Sequence, residues 1–419
     1  MKKYTVDIAV IGGGPAGMAA ALEARKQGAE KVIILERDVE LGGILQQCIH
    51  DGFGLHRFQK RMAGTEYAQS FIDEVNDTDI EVLLDTMVLE ITQDKVIYAC
   101  NNKEGMLEIQ CGAVILAMGC RERTASQVFI YGYRPAGVLT AGTVQRYINI
   151  EGYIPGKKAV ILGSGDIGLI MARRMTLEHI EVKGVYEVME NPGGLTRNIV
   201  QCLDDYKIPL HLATTVTKIH GKKRIEGVTV AQVDENRQVI PGTEEYVECD
   251  LLVLAVGLIP ENELSIKAGL EIDPRTKGPV LDNHFMTSIP GIFAAGNVAV
   301  VFDLVDYVSL SGEIAARGAA AYLKGAYQGG MEYKNTVAKG NLNFIVPQRI
   351  VAGEEGDMRL FMRVKHPDQK SQIECREKEQ ITKKKKYPFV APPEMISELV
   401  PISGKEDLIV DMKEGVANA

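Results

Sequence analysis

TVDIAVIGGGPAGMAAALEARKQG, residues 5–28, is the stretch that decides the fold of this chain. It begins as a short apolar run rich in β-branched residues, which predicts a buried strand. A glycine-rich turn leads from that strand into a helix-like pattern, and a further apolar run then ends at Glu36. Strand, G-x-G-x-x-G, helix, strand and acid, in this order, predict a site for the pyrophosphate and ribose of a dinucleotide.

Each part of this first motif has a physical reason. Gly12 permits the tight turn, Gly14 lets backbone amides reach a pyrophosphate, and Gly17 lets the helix pack closely on the strand. The helix N-terminus favours an anion, and Glu36 can accept hydrogen bonds from a ribose. The residues expected at this dinucleotide are Gly12, Gly14, Pro15, Ala16, Gly17, Glu36 and Arg37.

The same order recurs later in the chain. A second motif runs from the strand KAVIL through GSGDIG to a strand that ends at Glu187. Glu187 follows Gly163 by 24 residues, the offset that separates Glu36 from Gly12. Two matches with one internal spacing predict two dinucleotides. The residues expected at the second are Gly163, Gly165, Asp166, Ile167, Gly168 and Glu187.

Four glycine-containing segments accompany the motifs. The pair Gly42-Gly43 follows the acid of the first motif, where backbone can pass against a pyrophosphate, and we expect no matching pair in the second motif. Two apolar strands, AVILAMG and LLVLAVG, end at Gly119 and Gly257. The last segment, GIFAAGN, places a glycine-polar turn at Gly296-Asn297 before a helix predicted near 304–323. Asp303 and Asp306 are candidate N-terminal caps of that helix, with a catalytic role as the alternative.

These segments, in this order, resemble the two-dinucleotide-binding flavoprotein superfamily that includes glutathione reductase and thioredoxin reductase. The resemblance covers residues 5–325. It implies FAD in the first motif and NAD(P)H in the second, and a helix after Asn297 whose positive end faces the flavin. It adds Gly42, Gly43, Val88, Gly119, Gly296 and Asn297 as FAD contacts and Gly257 as an NAD contact. Asn297 stands where the superfamily usually has Asp, and its amide can still bind the ribityl region.

The predicted fold class is α/β, with two Rossmann-like three-layer domains and a small β-rich C-terminal domain. We assign residues 1–150 and 262–330 to FAD binding and 151–261 to NAD(P) binding. Only five of the 42 glycines lie beyond residue 330, so we expect the antiparallel sandwich predicted for 335–419 to lie away from the cofactors. Its lysine run, Lys383–Lys386, is either a solvated strand edge or a docking site for an acidic partner.

Glu187 favours NADH over NADPH, because a carboxylate accepts hydrogen bonds from the ribose 2′-OH and repels a 2′-phosphate. The alternative is a surface glutamate that happens to end a strand.

The cysteines argue against a disulfide reductase. All seven are scattered without C-x-x-C spacing, which predicts no metal site, and free thiols suit a reducing compartment. Disulfide reductases of the superfamily carry a cysteine pair near the flavin, whereas Cys48 is the single cysteine in the segment after LGG. The resemblance places that segment beneath the isoalloxazine ring. Gln47, Cys48 and His50 are therefore the catalytic candidates, with Gln46 and His56 nearby.

Alternatives remain for these candidates. Cys48 is either a small buried hydrophobe or a redox sulfur. His50 and His56 are either hydrogen-bonded structural histidines or proton donors to flavin N5 or an acceptor.

Four longer stretches carry a closer resemblance: GGILQQCIHDGFGL, RPAGVLTAG, GSGDIGLIMARRM and GNVAVVFDLVDYVSLSGE. They are similar to the flavoprotein oxidoreductases that partner anaerobic glycerol-3-phosphate dehydrogenase, and to flavin subunits of opine, proline and cyanide-producing dehydrogenases. The resemblance implies an FAD-dependent, NADH-linked oxidoreductase that exchanges electrons with a partner dehydrogenase. An electron-carrying subunit that is inactive without its partner, and a stand-alone NADH oxidase, are the alternatives. The four-cysteine iron–sulfur module of some relatives is not expected, since only Cys375 lies beyond residue 250.

Charge and hydropathy exclude other classes. The net charge of −9 repels nucleic acid and anionic membrane surfaces. No apolar run approaches the roughly 20 residues that span a bilayer, and the N-terminus begins as a strand. We therefore expect a cytoplasmic protein. The sequence does not determine its oligomeric state.

Overall fold

The computed structural model describes residues 1–327 and 331–415, and the chain divides into two compact units. The larger unit comprises Met1–Cys120 and Pro260–Ala419, and the smaller unit comprises Arg121–Ile259. The division falls earlier than the predicted boundary at residue 150. The physical reason is that strand Val138–Thr140 extends the smaller unit's parallel sheet. The predicted boundary at residue 330 lies outside the described residues.

The larger unit contains a seven-stranded sheet whose centre is parallel. Strand Lys2–Ile11 lies in the middle, and its apolar residues are buried on both faces, as the β-branched run predicts. Helices cover the sheet, and the long helix Val305–Leu323 packs on the first helix. The strands are, in sheet order, Glu81–Leu83, Val32–Leu35, Lys2–Ile11, Gly105–Leu116, Val96–Asn101 and Thr86–Ile91, with Ile292–Ala294 paired to Gly105–Leu116. The helices are Pro15–Lys26, Gly64–Asn76, Glu263–Lys267 and Val305–Leu323.

The smaller unit repeats this plan with a five-stranded parallel sheet and a four-stranded sheet beside it. The parallel strands, in sheet order, are Val138–Thr140, Leu251–Leu254, Lys158–Leu162, Glu181–Tyr186 and Leu210–His211. The helices are Ala141–Asn149, Asp166–Leu177 and Thr196–Cys202. The second sheet comprises Tyr131–Gly132, Thr214–His220, Gly227–Gln232 and Glu245–Glu248. Short strands Cys120–Glu122 and Leu258–Pro260 lie where the chain passes between the units.

The C-terminal region of the larger unit is β-rich and has two sheets around a core of its own. One pair, Tyr333–Gly340 with Leu408–Lys413, is parallel, so the expected antiparallel sandwich is antiparallel only in its other pairs. The five-stranded sheet has the order Arg349–Val351, Tyr333–Gly340, Leu408–Lys413, Asp368–Glu377 and Gln380–Val390. The three-stranded sheet comprises Leu342–Val346, Gly356–Val364 and Ile396–Ile402. The predicted α/β fold class with a β-rich C-terminal region is confirmed.

The lysine run lies on an edge strand, Gln380–Val390. Lys383 and Lys385 both pair with the buried carboxylate of Glu398, and Lys384 pairs with Glu374 at 3.2 Å. Lysines on an edge strand also discourage pairing with another chain. These internal ion pairs favour the strand-edge interpretation over docking to an acidic partner.

Among the described residues, no helix combines the length and apolarity that crossing a membrane requires.

Candidate functional site

The first cradle, Gly12–Gly17, joins strand Lys2–Ile11 to helix Pro15–Lys26. Gly12 has a φ of 106°, a left-handed value that favours glycine, and its amide donates to the carbonyl of Leu35 at 2.8 Å. A Cβ on Gly12 would overlap the carbonyl oxygen of Ala117, and a Cβ on Gly17 would overlap the carbonyl oxygen of Gly12. Both positions therefore require glycine for steric reasons.

The second cradle, Gly163–Gly168, has the same local construction in the smaller unit. Gly163 has a φ of 101° and donates its amide to the carbonyl of Tyr186 at 2.7 Å. A Cβ on Gly163 would overlap the carbonyl oxygen of Ala255, and a Cβ on Gly168 would lie 2.5 Å from the carbonyl oxygen of Gly163. The repetition thus extends from sequence spacing to geometry.

The middle glycines, Gly14 and Gly165, behave differently. Each is the N-cap of its helix, with φ of −75° and −62°, so the backbone itself would accept another residue. Apart from the glycine itself and the backbone next to it, no atom of the described chain lies within 4 Å of the place that a Cβ would occupy on either glycine. Free amides at a helix N-terminus beside open space suit a pyrophosphate. Pro15 and Asp166 occupy the first helical position in the two cradles, followed by Ala16 and Ile167.

Both acids lie at the ends of their strands with their carboxylates beside the cradles. Glu36 accepts hydrogen bonds from the amides of Gly13 at 2.6 Å and Asp38 at 2.7 Å. Glu187 accepts from the amide and hydroxyl of Ser164 at 2.9 and 2.7 Å. Glu187 is 8% exposed, which does not fit the alternative of a surface glutamate. Arg37, beside Glu36, is exposed.

The expectation that only the first motif has a glycine pair is wrong. Gly193-Gly194 follows Glu187 at the offset that separates Gly42-Gly43 from Glu36. The amide of Gly42 donates to the carbonyl of Gly13 at 2.9 Å, and the amide of Gly193 donates to the hydroxyl of Ser164 at 2.8 Å. Aligning the two motifs beyond their acids would have revealed the second pair.

The turn at Gly296-Asn297 lies close to the first cradle. A Cβ on Gly296, which has a φ of 68°, would lie 2.7 Å from the Cβ of Ala16. The amide of Gly296 donates to the hydroxyl of Ser311 at 2.7 Å. Asn297 accepts from the amide of Phe302 at 3.0 Å and donates to the thiol sulfur of Cys120 at 3.5 Å. Sequence reasoning assigned no role to Ser311 or Cys120, because only the fold brings them to this turn.

Cys48 follows a short 3₁₀ helix, Gly43–Gln47, and is 8% exposed. Its thiol donates to the carbonyl of Ile44 at 3.3 Å, and its own carbonyl accepts from the amide of Gly64. Burial raises the pKa of the Cys48 thiol to about 12. The thiol is therefore protonated at neutral pH, which favours the interpretation as a small buried hydrophobe over a redox sulfur.

The other candidate side chains near Cys48 are buried or contact other parts of the chain. Gln47 is buried, Gln46 donates to the carbonyl of Leu41 at 2.7 Å, and the His50 ring lies 5.1 Å from that of Phe53. His56 stacks on Tyr307 of helix Val305–Leu323, with ring centroids 5.9 Å apart. The segment after the glycine pair therefore packs against the N-terminal turn of that helix.

The proposed capping by Asp303 and Asp306 is wrong. The N-cap is Leu304, whose side chain accepts no hydrogen bond. Asp306 lies in the first turn and accepts from the amide of His56 at 3.1 Å, while Asp303 accepts from the amide of Met395 at 2.8 Å. Met395 belongs to the C-terminal region, which therefore lies nearer this end of the helix than its glycine-poor sequence suggested.

The remaining predicted contacts occupy varied positions. Val88 is 7% exposed and packs into the core. Gly119 and Gly257 lie three residues beyond strands Gly105–Leu116 and Leu251–Leu254 and have φ of 73° and 103°, so both turns use the conformational freedom of glycine.

Comparisons with known proteins extend these observations. The profile of the pyridine nucleotide-disulphide oxidoreductase family matches residues 6–322. An opine oxidase subunit of Agrobacterium tumefaciens is 27% identical over 339 residues, which cover 76% of this chain and 66% of that protein. The HcnB subunit of the hydrogen cyanide synthase of Pseudomonas protegens is 28% identical, over 62% of this chain and 58% of its own. The matches thus span two thirds or less of these relatives.

Among solved structures, thioredoxin reductase of T. acidophilum is similar, with a TM-score of 0.62 at 24% identity. The similarity covers 76% of this chain and 98% of the reductase. It shows that the fold is shared.

Proposed function

This chain belongs to the pyridine nucleotide-disulphide oxidoreductase family and is an FAD-dependent oxidoreductase, and from that premise we propose that it transfers hydride between NADH and bound flavin. One observation carries the proposal. Two cradles of the same geometry each combine two sterically required glycines, one glycine facing open space and a buried carboxylate at a strand end. Each such set suits one dinucleotide.

We assign FAD to the first cradle and the nicotinamide dinucleotide to the second. Gly14 would approach the FAD pyrophosphate, Glu36 would accept from its adenosine ribose, and Asn297 would hydrogen-bond its ribityl region. When bound, FAD supplies the acceptor for a hydride from the nicotinamide. The chain supplies binding, orientation and exclusion of water.

We propose NADH rather than NADPH as the donor. The buried carboxylate of Glu187 can accept a hydrogen bond from the ribose 2′-OH, whereas a 2′-phosphate would place like charges against each other. The hydroxyl of Ser164 and two backbone amides already hold this carboxylate in place.

Hydride transfer would proceed without a redox disulfide. The seven cysteines lie without C-x-x-C spacing, and burial raises the pKa of Cys48 to about 12. A thiolate would be needed for attack on a disulfide, and a buried neutral thiol is a poor source of one. The same facts weaken a stand-alone NADH oxidase that uses Cys48. Free thiols also suit the cytoplasm, where we place the protein.

We further propose that electrons pass to or from a partner dehydrogenase. Both curated relatives described above are named as subunits, which supports action in a complex. The closer resemblance of four sequence stretches makes a glycerol-3-phosphate dehydrogenase-like flavoprotein the first partner to test. The alternative is an electron-carrying subunit that turns over only when its partner is bound.

Anaerobic stopped-flow mixing of the purified, FAD-loaded protein with NADH or NADPH tests the proposal. We expect rapid bleaching of flavin absorbance with NADH and slow bleaching with NADPH. Failure of both nucleotides to bleach the flavin would refute the proposal. Reoxidation that is slow in air and fast with a glycerol-3-phosphate dehydrogenase-like protein would support the partner, and fast reoxidation in air alone would favour the oxidase.

A further inference from the structure

The second cradle holds its glycine pair differently from the first. In the first cradle, backbone bonds to backbone, because the amide of Gly42 donates to the carbonyl of Gly13. In the second, the amide of Gly193 donates to a side chain, the hydroxyl of Ser164, at 2.8 Å. Ser164 occupies the position of Gly13, so a hydroxyl replaces a backbone carbonyl as the acceptor.

The same hydroxyl reaches the acid of the motif. Ser164 Oγ donates to Glu187 Oε2 at 2.7 Å, and the Ser164 amide donates to the same oxygen at 2.9 Å. A hydroxyl has one hydrogen and two lone pairs, so it can donate to Glu187 and accept from Gly193 at once. Ser164 is 0% exposed, and hydrogen bonds to a charged acceptor away from water are strong.

The loop that contains Gly193 and Gly194 is also held to the second cradle through Asp166. Asp166, at the start of helix Asp166–Leu177, accepts from the amide of Leu195 at 2.9 Å and from the side chain of Asn198 at 2.7 Å. A Cβ on Gly194 would lie 2.9 Å from the carbonyl oxygen of Ser164, so the loop runs closely against the cradle. Its placement therefore depends on Asp166 at one end and on Ser164 at the other.

We propose that Ser164 is a positioning residue that couples ribose binding at Glu187 to the placement of the Gly193-Gly194 loop over the second cradle. The proposal rests on the proposed function, since the ligand is the nicotinamide dinucleotide.

Ser164→Ala tests this directly, because it removes both hydrogen bonds of the hydroxyl and leaves those that the backbone amides of Ser164 and Met189 donate to Glu187. In anaerobic stopped-flow reduction, we expect the NADH concentration for half-maximal rate to rise about tenfold, while the limiting rate stays within about twofold. Calorimetric binding of NAD⁺ to the oxidised protein should weaken by a similar factor. FAD content should not change, because Ser164 lies in the other cradle. Ser164→Gly, which copies Gly13, provides a second variant if the alanine protein misfolds.

A double-mutant cycle with Glu187→Gln distinguishes positioning from a general structural role. If Ser164 acts through Glu187, the double variant should bind NAD⁺ about as weakly as Glu187→Gln alone. Thr176→Ala is the matched control, since Thr176 lies on helix Asp166–Leu177, which follows Ser164, and its hydroxyl donates to the carbonyl of Ala172 within that helix. That variant should bind NAD⁺ like the wild type.

Two results would overturn the inference. One is wild-type binding of NAD⁺ by Ser164→Ala, and the other is full additivity of the two substitutions. If the wild-type protein neither binds NAD⁺ nor is reduced by NADH, the proposed function fails together with the inference. If the wild type responds and the alanine variant does not differ from it, the inference alone fails.

Discussion

The substitutions Gly14→Ala and Gly165→Ala add one methyl group to each cradle at the point that faces open space. Apart from the backbone next to it, each new Cβ would have no atom of the described chain within 4 Å, and each backbone already has a φ that alanine adopts. The methyl would therefore be tolerated by the protein and would occupy space that a pyrophosphate needs. The pair of variants separates a requirement for folding from a requirement for a ligand.

The two substitutions should change the free energy of unfolding only slightly, because two effects of alanine oppose each other. Alanine is a poorer N-cap than glycine, which costs about 0.5–1 kcal/mol. Alanine also restricts the unfolded chain, which contributes about 0.4–1 kcal/mol in favour of folding. The net change in the free energy of unfolding should stay within about 0.5 kcal/mol of zero, equivalent to roughly 1 °C in Tm.

The effect on ligands should be large and specific to each cradle. A methyl group wedged between the helix amides and a phosphate should cost about 1–3 kcal/mol by overpacking, with further loss if an amide-to-phosphate bond breaks. At about 1.4 kcal/mol for each factor of ten, affinity should fall about 10–100-fold. Gly165→Ala should retain FAD and bind NAD⁺ weakly, whereas Gly14→Ala should lose FAD during purification.

The assay combines flavin absorbance per chain with calorimetric binding of NAD⁺ and a thermal melt. Comparison of the melts is made on proteins saturated with FAD, because a bound ligand itself raises Tm. The reasoning would be refuted by a Gly165→Ala protein that binds NAD⁺ like the wild type. It would also be refuted if Gly165→Ala lost FAD while Gly14→Ala retained it. That result would place FAD in the second cradle and the nicotinamide dinucleotide in the first.

Three further predictions concern other parts of the molecule. Gly168→Ala should destabilise the protein by about 1–3 kcal/mol in denaturant titration, because its Cβ would lie 2.5 Å from the carbonyl oxygen of Gly163. Cys48→Ser should leave the rate of flavin reduction by NADH within about twofold of the wild type, since the buried thiol is neutral. A much lower rate of flavin reduction would support a mechanism that uses this thiol. Glu398→Gln should cost about 1–3 kcal/mol at pH 7, because two lysines lose their buried partner. Burial alone would raise the pKa of Glu398, but bonds from Lys383, Lys385 and a tyrosine lower it below the ordinary 4.5. The stabilisation is therefore present above pH 4.5 and lost as the pH falls through the lower folded-state pKa, so the difference between wild type and variant should shrink in acid.

Local spacing was enough to predict both cradles. The roles of Gly12 and Gly17 follow from steric rules that act within a few residues, and the offset to Glu36 follows from the length of one helix. The repeated offset at Glu187 predicted the second cradle for the same reason.

Contacts between distant segments could not be predicted in this way. Ser311 lies beside Gly296 because a helix returns across the sheet, and Met395 meets Asp303 because the C-terminal region packs near that helix. The expected helix caps failed for a related reason, since His56 and Met395 supply donors to the two aspartates from elsewhere in the chain. No local pattern encodes these partners.

An anaerobic reductive titration of the FAD-loaded protein with NADH tests the central claim most directly. The flavin accepts two electrons, and a redox disulfide would accept two more. Hydride transfer to flavin without a disulfide predicts complete bleaching after one equivalent of NADH per bound FAD. A requirement for two equivalents, or the absence of any bleaching, would contradict it.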